Sequence, residues 1–547
     1  MILKRCTRPI RLAALSIGTS VWLAGCNLAP IYQKPDSPVG GTYPEQPLTT
    51  YDSATGDFTQ TMVAAQRLAG QEGDAADLVW QSFFQDPQLK ALIGLSLDNN
   101  RDLEIAIARM QEAEAIWGIQ RGEMLPQLGA ALSGVRQRGP SALSGSNAVT
   151  SQYSAGIGVT AFELDLFGRL RNLSEAAFQQ YLASAEGARG VQITLVADTA
   201  IQFFRFRMAQ VMREVTEQTL ASRKQSYDLV NARFRRGIAS EMDAVQAKTL
   251  VDAAAADLAR FVREEAQAKN ALVVLIGQPW PSNLPEALSF DNLEQLVDIP
   301  AGLPADLLTR RPDVRAAENQ LLATNANIGA ARAAFLPNVS LTGRLGTAST
   351  SLGDLFGSGS GAWAFTPSIS LPLFRGGALQ AGLAQANAAQ RAAVARYEQS
   401  IEQAFREVAD ALAGEGTLQS QFDARSAQRK AAERFLALSN ARFFNGVDSF
   451  LDVQIAETQV FQAQILQVQT GFETLANRVN LYKALGGGWD ESIPGAIKRP
   501  VNLMGVGVPV APDQMQTTPT NTATNTATNS ATTAATTAAT LGTSETP

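Results

Sequence analysis

The chain contains no histidine, and only two cysteines, Cys6 and Cys26, among its 547 residues. The commonest general base and metal ligand is therefore missing. No glycine-rich phosphate loop and no zinc-ligand spacing occurs, and nothing in the pattern marks the paired carboxylates that a polymer hydrolase requires. No enzyme, cofactor or metal is expected. Beyond the N-terminus the chain also lacks the run of about 18 apolar residues that a membrane helix needs, so any bilayer crossing must be made by strands.

What the chain does have begins at its N-terminus, where Lys4, Arg5, Arg8 and Arg11 precede an apolar run from Leu12 to Leu23 that ends in Leu23-Ala24-Gly25-Cys26. This is a secretory signal rather than a span. The ending resembles a bacterial lipoprotein signal, which implies that residues 1–25 are removed, that Cys26 becomes the acylated first residue, and that Asn27 permits sorting to the outer membrane. The alternative is an ordinary signal with an incidental cysteine. Loss of those four basic residues moves the formal charge from −6 to −10, so nucleic acid is not expected as a partner. From Thr517 the chain is Thr/Ala/Asn-rich with Leu541 as its one large apolar residue, the composition of a disordered tail. With 45% hydrophobic residues, the remainder has ample material for a core.

That remainder repeats itself. "ARFRRGIASEMDAVQAKT" from Ala232 answers "ARFFNGVDSFLDVQIAET" from Ala441, an offset of 209. Three further landmarks agree in order: "LPQLGAALSG" with "LPNVSLTGRL", "ELDLFGRL" with "SLPLFRGG", and "VLIG" with "KALG". A tandem duplication explains them. Each half reads helix, strand, polar loop, strand, very long helix, tight turn, helix. Period-two alternation puts Val339, Leu341, Gly343 and Leu345 on one face of a strand, and Trp363, Phe365, Ile369, Leu371 and Leu373 on one face of the next. In the first half the apolar sides are Leu128, Ala130 and Leu132, then Tyr153, Ala155, Ile157 and Val159. Such strands suit a membrane barrel or one face of a soluble sheet, and four of them cannot close a barrel alone. From Pro312 to about Phe335 a helix is predicted, and from Ala378 to Asn445 no proline interrupts a second one, roughly 100 Å long at the helical rise. Val394, Tyr397, Ile401, Phe405, Val408 and Leu412 form a seam on it; Ile465, Val468, Phe472, Leu475, Val479 and Tyr482 form the seam of the helix after the turn.

The duplicated turns are "RRGIASEMDAV" and "FNGVDSFLDVQ". Gly237 and Gly446 suit the left-handed residue that ends a helix; Ser240 and Ser449 lie three before Asp243 and Asp452, the Ser-x-x-acid pattern that starts the next one. The aspartates are capping groups, stabilising each helix by about 0.5–2 kcal/mol, or in an oligomer they also ring a narrow mouth that selects for cations.

These residues resemble the outer-membrane factor family, the TolC-like efflux channels, and within it the lipoprotein branch that serves RND multidrug pumps. The matching pieces include the lipobox with Pro30 and Tyr32 beyond it, "WQSFFQDPQLKALI" from Trp80 and "ELDLFGRLR" from Glu163. Others are "RRPDVRAAENQLLATNANIGAARAAFLPNVSLTG" from Arg310, "AFREVADALA" from Ala404 and "NLYKALGGGW" from Asn480. The resemblance implies a mainly α fold with membrane β: a homotrimer sharing one twelve-stranded outer-membrane barrel, four strands per chain, continued by a periplasmic α-helical coiled-coil tunnel. It implies a passive channel working with a periplasmic adaptor and an inner-membrane RND transporter, anchored in outer-membrane lipid. It places Asp243, Asp452 and Leu451 at the constriction and Phe443 at an aromatic link before the turn glycine. Where relatives carry a second acid or a basic locking residue, this chain has Ile455 and Asp448. The expected order is signal 1–25, acylated extended segment 26–79, repeats 80–290 and 291–489, and a C-terminal segment 490–547. Two other functions are kept: a channel for polypeptide secretion with an ABC transporter, and a lipid-anchored coiled-coil scaffold that forms no pore.

Overall fold

The computed structural model describes residues 27–40, 42–64, 78–138, 149–290, 296–297 and 310–487. The signal, Cys26 and the C-terminal tail lie outside the described residues. Strands β1 (Gln46–Tyr51) and β2 (Phe58–Val63) precede helices α1 (Trp80–Phe83), α2 (Pro87–Asn99) and α3 (Arg101–Gly122). Next come β3 (Leu128–Arg138), β4 (Val149–Leu164), α4 (Arg169–Arg235) and α5 (Glu241–Ile276). The second half follows with α6 (Pro312–Ala333), β5 (Asn338–Ser349), β6 (Gly361–Ser370), α7 (Ala378–Phe444) and α8 (Phe450–Ala484). The same series of elements thus occurs twice.

Both α4 and α7 run for 67 residues, about 100 Å. Each starts after a left-handed glycine, Gly168 or Gly377. Their seams are buried as the periodicity requires: Tyr397, Val408 and Leu412 on α7 and Leu475, Val479 and Tyr482 on α8 are almost wholly covered, with Val394, Phe405, Ile465 and Phe472 packed against them. Side by side the long helices run α5, α4, α8, α7, with α6 laid across α4 and α7. The main core gathers where Phe83, Phe84, Phe203, Phe204 and Tyr482 meet, each burial contributing about 2 kcal/mol. Among the described residues no helix is long and apolar enough to cross a membrane.

The four strands form one antiparallel sheet in the order β3-β4-β5-β6. Its register joins the apolar residues into one face. Ile369 lies opposite Val339, Trp363 opposite Leu345, Leu345 opposite Ile157 and Ile157 opposite Ala130. The other face carries Ser340, Thr342, Arg344, Ser368, Gln152 and Val135 among small residues, and a Cβ at Gly156 would sit 2.7 Å from the Leu345 carbonyl, so the backbones crowd together on this side. A bulge between Val159 and Phe162, with Ala161 at φ 52°, shifts the phase of β4 from odd to even numbers. Phe162 and Leu164 thereby stay on the apolar face, opposite Leu341 and Val339. One expectation is corrected: β6 stops at Ser370, because Pro372 has no N–H for a ladder, and Leu371 and Leu373 stand in the connection to α7.

The segment read as merely extended before Trp80 also holds the antiparallel hairpin β1–β2. It is seated on α7, where Thr49 Oγ1 lies 2.6 Å from Ser420 Oγ and 3.3 Å from the Gly416 carbonyl.

Candidate functional site

The two turns are built alike. α4 stops at Gly237, whose φ of 73° costs a residue with a side chain about 1 kcal/mol or more. The Gly237 N–H donates to the Phe234 carbonyl at 2.8 Å and Ile238 N–H to Arg233 at 2.9 Å. Gly446, at φ 74°, repeats this with Phe443 at 3.0 Å and Val447 on Arg442 at 2.9 Å. Both turns satisfy the last carbonyls of the helix they end.

A new helix begins three residues on. The Ser240 hydroxyl accepts the Asp243 N–H at 3.1 Å, and Asp243 Oδ2 accepts the Ser240 N–H at 3.1 Å. Asp452 Oδ2 likewise accepts the Ser449 N–H at 3.1 Å and its hydroxyl at 2.7 Å. Wherever a carboxylate oxygen takes part it is Oδ2, which leaves Oδ1 of each aspartate outside these bonds. Capping thus uses half of each carboxylate.

The hairpin ends lie side by side through Val230, Ala244, Ala247, Phe450 and Val453. Phe443 ties them together: its ring is 5.4 Å from that of Phe450, and the Arg233 guanidinium of the first hairpin stands 5.2 Å over its face. Such a cation–π contact contributes about 0.5–1 kcal/mol. Leu451, 48% exposed, and Ile455 open onto a groove of about 430 Å³ between α5 and α8, lined also by Gln246, Thr249, Leu250 and Gln454. Asp448 is held within its own hairpin by Arg442, in two bonds of 2.6 and 2.7 Å, and that guanidinium keeps its carboxyl below the usual aspartate range.

About four turns before Gly237 lies a cluster with no signature in the residue pattern. Arg223 on α4 is buried, donates Nη1 to the Leu250 carbonyl of α5 at 3.1 Å, and stands 5.4 Å over the Phe461 ring of α8. Its Nε has no hydrogen-bond partner among the described residues. Glu457 on α8 accepts the Ser226 hydroxyl of α4 at 2.9 Å. Burial raises the Glu457 carboxyl above the usual glutamate range, against the pull of Ser226 and Arg223. At the 209-residue offset the counterparts of Arg223 and Glu457 are Ala432 and Lys248, so this joint between α4 and α8 has no copy elsewhere in the repeat.

At the other end, the chain that follows Cys26 lies along α6. Leu28 and Pro30 carbonyls accept from Arg332 at 3.1 Å and Asn325 at 2.8 Å, then Tyr32 and Lys34 both donate to Glu318, at 3.2 and 3.1 Å. Gly329 permits the approach, since a Cβ there would fall 2.8 Å from the Ala29 backbone. The run is antiparallel to α6 and starts beside the end of α6 that leads into β5. Asn27 therefore emerges next to the sheet.

An open sheet with one apolar face, carried on helices about 100 Å long that end in capped turns, defines a class: the wall of an outer-membrane channel. The chain belongs to the outer membrane efflux protein family, whose profile matches residues 92–278 and again residues 303–487. It is a channel protein of the outer membrane and not an enzyme. It is 42% identical to the solvent efflux pump outer membrane protein SrpC of Pseudomonas putida, over 88% of this chain and all of that one. Outer membrane protein OprJ of Pseudomonas aeruginosa is 41% identical over 86% of this chain and 94% of its own length. Among solved structures, the open state of the Neisseria gonorrhoeae MtrE outer membrane channel superposes with a TM-score of 0.74 at 37% identity, covering 85% of this chain and 98% of that one. The TolC-like channel fold is thereby shared, and the family's double match falls on the duplication.

Proposed function

We propose that three copies pool their sheets into one twelve-stranded barrel and their helices into one tunnel, a passive channel for drugs, solvents or similar small toxic compounds. An inner-membrane RND transporter, joined through a periplasmic adaptor, supplies the energy. The observation that carries this reading is an apolar face that crosses all four strands of a sheet whose edge strands, β3 and β6, have no further partner among the described residues. Lipid can cover such a face only when the edges are closed, and four strands cannot close on themselves. The order of the chain is then signal 1–25, acylated Cys26 and its segment to 79, repeats 80–290 and 291–489, and the C-terminal segment. Acyl chains on Cys26 would enter the bilayer beside the barrel, in keeping with where Asn27 emerges.

Asp243, Asp452 and Leu451 line the inner mouth in this reading, with Phe443 holding the hairpins together and the Gly237–Ser240 and Gly446–Ser449 turns setting the mouth's edge. The Oδ1 atoms left outside the capping bonds are available to form a carboxylate ring. The test is complementation of a strain lacking the gene. The wild-type gene should restore resistance to solvents and lipophilic drugs, whereas D243A/D452A should admit vancomycin-sized antibiotics from outside. No resistance phenotype on deletion would overturn efflux. Unchanged permeability with a lowered melting temperature would reduce the aspartates to caps.

A further inference from the structure

The β1–β2 hairpin leaves two large apolar side chains, Phe58 and Met62, bare. Thr49 points at α7, and in an antiparallel pair directly opposed residues share a face, so Gln60 and its alternate neighbours Phe58 and Met62 point to that same side. Phe58 is nevertheless 62% exposed and Met62 55%. Had β2 leaned toward α8, the packed α7–α8 pair would cover them. The strand instead overhangs the opposite flank of α7.

The duplication says what belongs on that flank. α4 and α7 are counterparts, as are α5 and α8. Among the four longest helices of the described residues α4 is flanked by both α5 and α8, while α7 packs beside α8 only, so the neighbour it lacks is an α5. The only other α5 is in a second copy. The level matches too: Gly416 and Ser420, on which Thr49 sits, correspond to Arg207 and Val211 at the 209-residue offset. There α4 is covered by the chain after α5, with Arg207 donating to the Leu288 carbonyl at 3.3 Å and Phe206 against Trp280 at 5.6 Å. Arg213 of α4 meets Glu265 of α5 at 2.6 Å, and Val262, 47% exposed, is within one turn of Glu265.

We infer that the β1–β2 hairpin is a clasp between copies of this chain, laying Phe58 and Met62 across the α7 seam onto α5 of the next copy near Val262. The inference rests on the oligomer proposed above. The mature chain offers no thiol for crosslinking, so the probe is a photoreactive benzoylphenylalanine placed at position 58 in the full-length protein in outer membranes. Irradiation should give dimer- and trimer-sized adducts whose peptides map to α5 of the second copy. Adducts confined to the same chain, or to another protein, in a sample whose native mass is still that of the oligomer would overturn the clasp alone; a monomeric native mass would overturn the oligomer and the clasp together. F58S/M62S should lower the temperature at which the detergent-solubilised oligomer dissociates by about 5 °C, with helical circular dichroism unchanged. An unaltered dissociation temperature would also overturn it.

Discussion

Glu457 and Asp448 lie nine residues apart in the same hairpin, and their surroundings push their carboxyls in opposite directions. A carboxyl whose folded pKa is raised, as at Glu457, favours the folded state below the unfolded value, about 4.3, and that contribution is lost as pH rises through the folded value. Ionised Glu457 is therefore a liability that Ser226 and Arg223 only partly offset. Asp448 is the reverse: its pairing with Arg442 stabilises above the ordinary aspartate pKa and is lost as pH falls through the lowered one. The two windows do not overlap. Replacing Glu457 with Gln keeps an acceptor for Ser226 and removes the charge, so the melting temperature of E457Q minus that of wild type should be larger at about pH 7 than at about pH 5. A difference independent of pH would show that the buried charge has no effect.

Among the elements, the strands were legible where alternation is strict and illegible where it breaks. Residues 338–346 and 153–159 announce a two-faced sheet, but the bulge at Thr160 and Ala161 appears only once Phe162 and Leu164 have to be kept on the same side as Val159. The turns could be read in full, because glycine, serine and aspartate act within six or seven residues of one another. Arg442 and Asp448 come together only after the turn has folded back, and Arg223 and Glu457 are brought near by packing between the two halves of the chain. The β1–β2 hairpin carried no signal: Thr49, Thr50, Thr59, Gln60 and Thr61 give it no apolar period, and its place is set by α7. The sheet makes a sharp prediction. Ile369 is on the apolar face and Ser368 on the other, so I369R should cost about 2–4 kcal/mol at the depth of the bilayer and block outer-membrane assembly, while S368R should assemble. Equal tolerance of both would make the sheet a soluble one.

At the scale of the whole molecule, the duplication was legible because its landmarks hold one spacing over four separate places, and the length of α7 was legible because nothing between Ala378 and Asn445 can stop a helix sharply. Which helix lies beside which was not, since small Ala-rich faces accept many neighbours. Stability along the chain should be graded: hydrogen exchange should be fastest at 237–240 and 446–449, where Ile238 and Val447 are bare, and slowest around Phe203, Phe204, Tyr397 and Tyr482, buried in the main core. Uniform protection would mean that the turns are as rigid as the middle. The unequal joints of the repeat carry a last consequence. Within a chain α4 and α8 are fastened by Arg223, Ser226 and Glu457, but in the proposed trimer the matching positions across the join between chains would hold Ala432, Phe435 and Lys248. A closed ring of three would then alternate three latched joints with three unlatched ones. Should the turns ring an inner mouth as proposed, an iris made this way would unfasten at every second blade.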